Sequence, residues 1–295
     1  MIRLKRNRRA DVVPAGLRGE KRKEKEMKLL RHLAGGGTFD EPFWKSIGGY
    51  WRPAREELFQ ETEWKCAYCE SLKEQETEGD VEHFRPKSKY WWLACCYDNY
   101  LFACKTCNSD WKGNAFPIDG TPMCGPSCLP GMGDTALEKL VGICTPDPLG
   151  RGDGVAMKAF RAACQAEKPR LLDPYLLDPE PFFRWIAKPN GMTREGQPRW
   201  FVEIAPRNSR PRTKLVFEAA RNCYGLNREN LQEQRGRVYD KLLDLKRILE
   251  HINHTKNLLA WELTLGGLNK YMSARSPYAG MARYFVYDEW KLLER

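Results

Sequence analysis

The chain has 295 residues, carries a formal net charge of +10, and is 42% hydrophobic and 12% aromatic. This apolar content excludes a mainly disordered chain, and at about 150 residues per domain the length suggests roughly two domains. No apolar run of about 18 residues is present and no apolar segment follows the basic start, so the sequence predicts neither a membrane span nor a signal peptide. We therefore expect a cytoplasmic protein.

The N-terminal segment carries most of the net charge. Residues 1–34 contain twelve Lys or Arg and four Asp or Glu. Strong helix formers run from Arg18 to Leu33 and end at three glycines, so we expect a basic arm followed by a helix. The pattern leaves two interpretations open, a surface that contacts phosphates and an ordinary solvated helix face.

Two cysteine pairs of equal spacing follow a second helix, which is predicted over Ala54–Trp64. Cys66 and Cys69 form the first C-x-x-C pair, and Cys104 and Cys107 form the second. Because the cytoplasm keeps thiols reduced, such pairs indicate a metal site rather than disulfides. Four thiolates complete a closed tetrahedral shell, so the sequence predicts a structural Zn²⁺; the alternative is four buried free cysteines.

The segment between the cysteine pairs predicts a strand, a second strand and a helix. Asp80–Pro86 is a short β-like run, Tyr97–Phe102 has the pattern of a turn and a strand, and a helix is expected from Asn108 onward.

The second half of the chain is harder to interpret. Glycine and proline interrupt residues 118–170 too often for long regular elements. Phe182–Ile186 before Asn190-Gly191 predicts a β-hairpin with a two-residue turn. Beyond it, a helix with a capping box at Asn227 is predicted to continue to Ile252.

These patterns divide the chain into four predicted regions: a basic arm and helix over 1–50, a zinc-stapled core over 51–117, a Gly/Pro/Cys-rich linker or insertion over 118–170, and a mainly helical domain with a β-hairpin over 171–295. Whether Cys124, Cys128, Cys144 and Cys164 bind a second zinc ion stays open at this point, because their spacing is irregular.

The residues between the cysteine pairs can support phosphodiester hydrolysis. A neutral histidine such as His83 is a suitable general base, and the oxygens of Glu82 and Asn108 are ligands that Mg²⁺ or Mn²⁺ prefers. Neighbouring residues of a strand point to opposite faces, so Glu82 and His83 share a site only if the strand is distorted or the metal lies at its edge.

The order of these motifs resembles the HNH nuclease family over Trp64–Pro117. The motifs are C-x-x-C, then Glu-His-Phe-Arg-Pro-Lys, then Asp-Asn-Tyr-Leu, then C-x-x-C-Asn with a lysine four residues later. The opening Met-Ile-Arg-Leu-Lys-Arg and the later Leu-Leu-Asp-Pro and Gly-Leu-Asn-Arg further resemble the PtuB-like HNH proteins of Septu and retron-associated antiphage systems.

The resemblance implies an α+β fold in which a zinc-stapled ββα-metal HNH core is embedded in a predominantly helical protein. It implies a catalytic set in which His83 is the general base, Glu82 and Asn108 bind the catalytic Mg²⁺ or Mn²⁺, and Asn99 holds the loop that orients the histidine. An asparagine at position 108 in place of histidine favours these hard ions over softer ones.

The same resemblance assigns partners. Lys112 and Asn114 fall where family members place phosphate-facing groups, and Arg85 and Lys87 are predicted with them to contact nucleic acid, either DNA or RNA. A PtuA-like ATPase is a possible partner that holds the nuclease inactive until infection; this chain has no P-loop of its own. The competing hypothesis is a zinc-knuckle module that binds nucleic acid or a protein without cutting.

Overall fold

The computed structural model describes residues 1–72, 79–150, 155–192, 196, 198–255 and 257–295, except for the side chains of residues 253–255. The α-helices are α1 (Gly19–Ala34), α2 (Glu41–Ser46), α3 (Arg55–Glu61), α4 (Asp134–Glu138), α5 (Met157–Ala166), α6 (Pro211–Tyr224), α7 (Glu229–Thr255), α8 (Leu258–Met272) and α9 (Ala279–Arg283). The strands are β1 (Gly79–His83), β2 (Tyr100–Cys104), β3 (Phe183–Met192) and β4 (Pro198–Pro206). This mixture of helices and small antiparallel sheets is compatible with the predicted α+β class.

Strands β1 and β2 form an antiparallel pair that begins the predicted strand, strand, helix order. His83 at the end of β1 lies opposite Tyr100, and Gly79 lies opposite Cys104. A π-helical segment, Thr106–Lys112, follows β2 directly. The predicted order of elements is confirmed, although the helix is short and wound more widely than an α-helix.

The first residues of the basic segment belong to the core. Met1, Ile2 and Leu4 are buried in the hydrophobic cluster that also contains the four cysteines of the C-x-x-C pairs. The Arg6 side chain is buried as well and pairs with Glu61 at 2.8 Å. Arg3, Lys5 and Arg9 are exposed, so a phosphate contact by this segment stays a prediction. Helix α1 begins and ends one residue later than predicted.

Strands β3 and β4 form the predicted hairpin, but its turn lies farther along the chain. Asn190 and Gly191 are within β3, at an irregularity between Pro189 and Met192. Gly191 has φ +78°, a conformation that favours glycine, so the Asn-Gly pair forms a bulge-like step in the strand and the predicted turn there is wrong. The connection falls at residues 193–197, most of which lie outside the described residues.

Helix α7 packs against β4 and starts close to the predicted residue, but without the predicted cap. The Asn227 side chain accepts from the backbone N–H of Ile204 at 2.8 Å and donates to its carbonyl at 3.0 Å. Asn227 therefore ties the start of α7 to the hairpin instead of capping the helix. Gly236 allows the close crossing, since a Cβ there would lie 1.6 Å from the Trp200 carbonyl oxygen.

One hydrophobic cluster joins the four cysteines of the C-x-x-C pairs to the hairpin and the C-terminal helices. A second cluster packs α1, α2 and α3 against the side of β1 and β2. The boundaries of the four predicted regions stay a prediction. No helix within the described part of the chain is long and apolar enough to cross a membrane.

Candidate active site

The two C-x-x-C pairs converge on one point. The Sγ atoms of Cys66, Cys69, Cys104 and Cys107 all lie within 4.8 Å of one another, and all four residues are buried. Four thiolates without room for a water suit Zn²⁺ in a structural role. The predicted cysteine cluster is therefore confirmed as a group that could hold a zinc ion.

Backbone hydrogen bonds position these ligands. The Ala67 N–H donates to the Phe102 carbonyl at 3.0 Å, which ties the first pair to β2. The Cys107 N–H donates to Cys104 Sγ at 3.5 Å, a contact that stabilises a thiolate. The hairpin and the start of the 106–112 helix thus bring the second pair against the first.

The other cysteines do not form a comparable group. Among the residues that the structure describes, Cys124, Cys128, Cys144 and Cys164 are not part of any cluster of three or more metal-binding side chains. The question of a second zinc site, left open by the spacing, therefore finds no support in the described part of the chain.

A cavity of about 710 Å³ opens along β1, where residues 80–83 line it, and we call it the cleft. It brings together residues that are far apart in the sequence. The predicted site residues that line it are Glu82, His83, Lys87, Asn108 and Asn114. Aromatic residues form part of its wall.

The His83 ring is held in one tautomer. Its Nε2 lies 3.1 Å from the Ala94 carbonyl oxygen, which can only accept, so the proton is on Nε2 and Nδ1 carries the lone pair. The Trp51 and Tyr100 rings meet the imidazole edge to face, with centroids 4.9 and 5.0 Å away. Nδ1 has no hydrogen-bond partner among the described residues, so it is available to accept a proton.

The imidazole is neutral at neutral pH. Burial lowers the pKa of His83 to about 3, and the nearby Lys87 and Lys112 ammonium groups act in the same direction, against the Ala94 hydrogen bond. A general base must be unprotonated before it acts, and this environment meets that condition. The same low pKa makes the imidazole a weaker base, because a general base works best with a pKa near the operating pH.

Glu82 is paired with a buried lysine. Its Oε1 lies 2.5 Å from Lys112 Nζ and accepts a hydrogen bond from the Tyr68 hydroxyl at 3.3 Å. Burial raises the pKa of Glu82, and the Lys112 ammonium opposes that rise. Lys112 also donates a hydrogen bond to the His83 carbonyl at 3.1 Å. One ammonium group therefore contacts both the Glu82 side chain and the His83 backbone.

The strand geometry explains how two neighbouring residues can share one cleft. The His83 ring packs on Trp51 and Tyr100, while the Glu82 carboxylate faces Tyr68 and Lys112. Both residues line the cleft, which extends along β1 from Asp80 to His83. Where a metal would lie relative to the strand stays a prediction.

Asn99 holds the loop between β1 and β2. Its Oδ1 accepts from the Arg85 N–H at 2.9 Å, and its Nδ2 donates to the carbonyls of Arg85 at 3.0 Å and Leu93 at 3.4 Å. It lies behind the cleft and does not line it. This placement agrees with a role in holding the loop that carries Ala94, the hydrogen-bond partner of His83.

Two predicted nucleic-acid contacts are wrong. Arg85 is buried, donates to Glu167 at 2.6 Å and to the Cys164 carbonyl at 3.3 Å, and therefore has no surface for a phosphate. Lys112 is also buried, and its ammonium is paired with Glu82. Both charges are internal because carboxylates distant in sequence, Glu167 for Arg85 and Glu82 for Lys112, pair with them. Lys87 and Asn114 do line the cleft.

A hard divalent ion fits the donor set of the cleft. Glu82 Oε2 and the Asn108 side chain have no hydrogen-bond partner among the described residues, and both residues line the same cavity. A carboxylate and an amide oxygen, completed by water and phosphate oxygens, suit Mg²⁺ or Mn²⁺.

The aromatic wall of the cleft was missed by sequence reasoning. Phe39, Trp44 and Trp51 line the cavity from the chain preceding the first cysteine pair. Their only sequence signal is a local concentration of aromatic residues, and such residues are more often core than site.

Comparisons with known proteins give one partial match. The chain is 38% identical over 68 residues to the Septu protein PtuB of Bacillus mycoides (strain KBAB4). The match covers 19% of this chain and 23% of that protein, so it spans less than a quarter of the relative. No known family model and no solved structure matches the chain.

Proposed function

We propose that the protein is a metal-dependent endonuclease of the HNH type, which hydrolyses phosphodiester bonds of nucleic acid in the cleft. The observation that carries the proposal is the His83 ring, whose tautomer leaves Nδ1 without a hydrogen-bond partner among the described residues, in a cleft that Glu82 and Asn108 also line. A structural histidine needs no such surroundings.

Each of the five predicted site residues that line the cleft has a role in the proposed reaction. His83 Nδ1 takes a proton from a water molecule, the water oxygen bonds to phosphorus, and the bond from phosphorus to the leaving oxygen breaks; that oxygen takes its proton from solvent. Glu82 and Asn108 would hold Mg²⁺ or Mn²⁺, which when bound stabilises negative charge on phosphate oxygens. Lys87 adds a positive charge at the same cavity, and Asn114 a polar contact.

The remaining predicted residues act through others. Asn99 fixes the loop that carries the Ala94 carbonyl, and Lys112 fixes the Glu82 carboxylate. The four cysteines would hold a structural Zn²⁺, which would link β2 and the 106–112 helix to the chain after α3. Its role would be in the fold and not in the hydrolysis.

Similarity to a Septu protein supports a role in antiphage defence, with this chain as the effector. In that role we propose a second chain, an ATPase of the PtuA-like kind, as the partner that restrains or releases the nuclease in the cytoplasm. Coexpression with the ATPase tests this part. A stable complex with lowered nuclease activity supports it, whereas full activity and no complex contradict it.

Cleavage of a nucleic-acid panel tests the activity itself. Zinc-loaded protein is incubated with plasmid, single-stranded DNA and tRNA, with Mg²⁺, with Mn²⁺ and with no added divalent ion. We expect cutting only with the added ion and none by Glu82→Gln, while zinc content stays the same. Cutting without added ion, or unchanged cutting by Glu82→Gln, contradicts the proposed metal ligand.

The second candidate is a zinc module that binds without cutting. The observation that favours it is the ion pair between Lys112 and Glu82, which occupies one of the two carboxylate oxygens. The non-cutting zinc module is the better description of the protein if it binds the nucleic acids of the panel tightly and never cuts them, with any added metal ion or with the partner present.

A further inference from the structure

The Gly-Leu-Asn-Arg segment, residues 225–228, connects α6 to α7 and reaches the cysteine cluster. Arg228 Nη1 donates a hydrogen bond to Cys107 Sγ at 3.6 Å. The same Nη1 donates to the carbonyls of Tyr224 and Gly225, both at 3.3 Å. The two carbonyls hold the half-buried guanidinium at this turn, so a positive charge from the C-terminal half of the chain lies against one of the four thiols.

Arg235 carries a second positive charge into the same part of the core. It follows Arg228 by seven residues, which is about two helical turns, so the two side chains leave the same side of α7. Arg235 is only 3% exposed, and its Nη1 donates to the Leu226 carbonyl at 2.6 Å. Among the residues that the structure describes, no carboxylate forms an ion pair with this buried guanidinium.

The anionic groups that act on Arg235 include one of the cluster thiols. Burial lowers the pKa of Arg235 to about 10, and Tyr278, Cys69 and Glu70 oppose the lowering, so the guanidinium is charged at neutral pH. Glu70 is itself paired with the Met1 ammonium at 3.3 Å. The cysteine cluster is therefore the source of negative charge that is not already paired with another cation.

A zinc-loaded cluster would provide that negative charge. Four thiolates outweigh the two positive charges of Zn²⁺, so the loaded group is an anion, and all four cysteines are buried. A buried charge without a partner is strongly unfavourable, whereas a buried cation and a buried anion offset each other. Groups that contact metal ligands in this way tune how tightly the metal is held.

We propose that Arg228 and Arg235 neutralise the zinc–thiolate group, Arg228 by a hydrogen bond to Cys107 and Arg235 through its charge. The C-terminal half of the chain would thereby set how tightly the core retains its zinc. The two arginines are positioning residues and not metal ligands, because a guanidinium has no free lone pair. This inference rests on the proposed zinc ion and is independent of the proposed hydrolysis.

Competition for zinc with a chromogenic chelator tests the proposal. The full chain is loaded with zinc, and the fraction of zinc that passes to the chelator gives the affinity. We expect Arg228→Gln and Arg235→Gln each to bind zinc about tenfold to a hundredfold more weakly than the wild type. Arg228→Lys keeps the charge and should lose clearly less than Arg228→Gln.

A matched control and a spectroscopic measurement separate charge from folding. Arg237→Gln removes an arginine of α7 that is 74% exposed and paired with Glu233, and it should bind zinc like the wild type. With Co²⁺ in place of zinc, the thiolate-to-metal absorption band should shift in Arg228→Gln and not in Arg237→Gln. Circular dichroism in excess zinc checks that each variant is folded.

Arg235 is fully buried, so a second variant covers the case in which Arg235→Gln does not fold. Arg235→Lys keeps the charge and is expected to bind zinc within a few fold of the wild type. A loss of tenfold or more in a folded Arg235→Lys would contradict a role that depends on charge.

The outcomes distinguish this inference from the proposed nuclease. Unchanged zinc affinity in a folded Arg228→Gln or Arg235→Gln overturns the role of that arginine, and an equal loss in Arg228→Gln and Arg228→Lys shows that packing and not charge is responsible. A charge-dependent loss upholds the inference even if no condition gives cleavage, in which case the nuclease activity fails alone. A wild-type chain that takes up no zinc overturns the inference together with the zinc site, whatever the result of the cleavage panel.

Discussion

The cysteine cluster and the cleft both adjoin the β1–β2 hairpin, and they are built in different ways. The cluster takes its four ligands from two C-x-x-C pairs, each placed by local turns. The cleft is lined by three segments that are distant in sequence: residues within 39–52, residues of β1, and residues within 108–114. The spacing of cysteines in the sequence is thus enough to predict a tetrahedral metal site, whereas a substrate cavity depends on how distant segments pack.

The two regions are also coupled through one short element. The 106–112 helix carries Cys107 into the cluster, Asn108 into the cleft and Lys112 onto Glu82. Damage to the cluster should therefore spread to the cleft, while damage to the cleft should leave the cluster intact.

The largest effect is expected from Cys104→Ser. Structural Zn²⁺ contributes about 10–16 kcal/mol of apparent binding free energy in small domains, and loss of one thiolate removes most of that. We expect loss of zinc, a lowered or absent cooperative melting transition, and loss of every cleft activity. Zinc content and circular dichroism on heating measure this. Cys223→Ser, at a cysteine outside the cluster, is the matched control; equal zinc and melting in the two variants would contradict the assignment.

The next largest effect is expected from Arg85→Ala, which leaves Glu167 buried without its partner. Breaking a buried ion pair costs about 3–5 kcal/mol, so the free energy of unfolding in urea should fall by that order. Because Arg85 has no surface for a phosphate, the salt dependence of nucleic-acid binding at a temperature where the variant is folded should not change. A shallower salt slope would restore the original prediction of a phosphate contact.

A smaller effect on stability is expected from Asn99→Ala. The change leaves the Arg85 N–H and carbonyl without their partner. Leaving buried polar groups unsatisfied costs about 1–3 kcal/mol of the free energy of unfolding. We expect the cleavage rate to fall as well, since the loop that carries the Ala94 carbonyl is released, while zinc content is unchanged. Urea unfolding and single-turnover cleavage measure both effects. Wild-type cleavage by a destabilised Asn99→Ala would show that the loop does not orient His83.

The smallest effect on folding is expected from Lys87→Ala. Lys87 lines the cleft and has no ion pair among the described residues, so its loss should leave the melting temperature nearly unchanged. One phosphate contact fewer should reduce the slope of log binding constant against log salt by about one. Lys188→Ala, whose ammonium is paired with Glu203 on the β3–β4 hairpin and does not line the cleft, is the control. Equal slopes in the wild type and Lys87→Ala would exclude a phosphate contact at this residue.

The sequence predicted what local spacing determines. The cysteine cluster, the β1–β2 hairpin and the helix after it follow from two C-x-x-C pairs and alternating residues, and five predicted site residues meet in one cleft. The partial similarity to PtuB agrees with the family resemblance, and the nuclease activity itself stays a proposal.

The errors came from features that depend on distant partners. Arg85 has the charge of a phosphate contact, but Glu167 lies 82 residues away in the chain and pairs with it inside the protein. Asn190-Gly191 is a strong turn signal that tertiary pairing of β3 with β4 overrides. The aromatic wall was not predicted because Trp44 and Trp51 become site residues only once α2 and the following turns pack beside β1.

The central claim is that His83 accepts a proton from water in the cleft, and single-turnover cleavage by zinc-loaded His83→Ala tests it most directly. The control is His251→Ala, which removes an exposed histidine of α7. We predict metal-dependent cutting by the wild type and by His251→Ala, and a rate lowered by about a hundredfold or more in His83→Ala, with nucleic-acid binding retained. Cutting by His83→Ala at the wild-type rate would contradict the account.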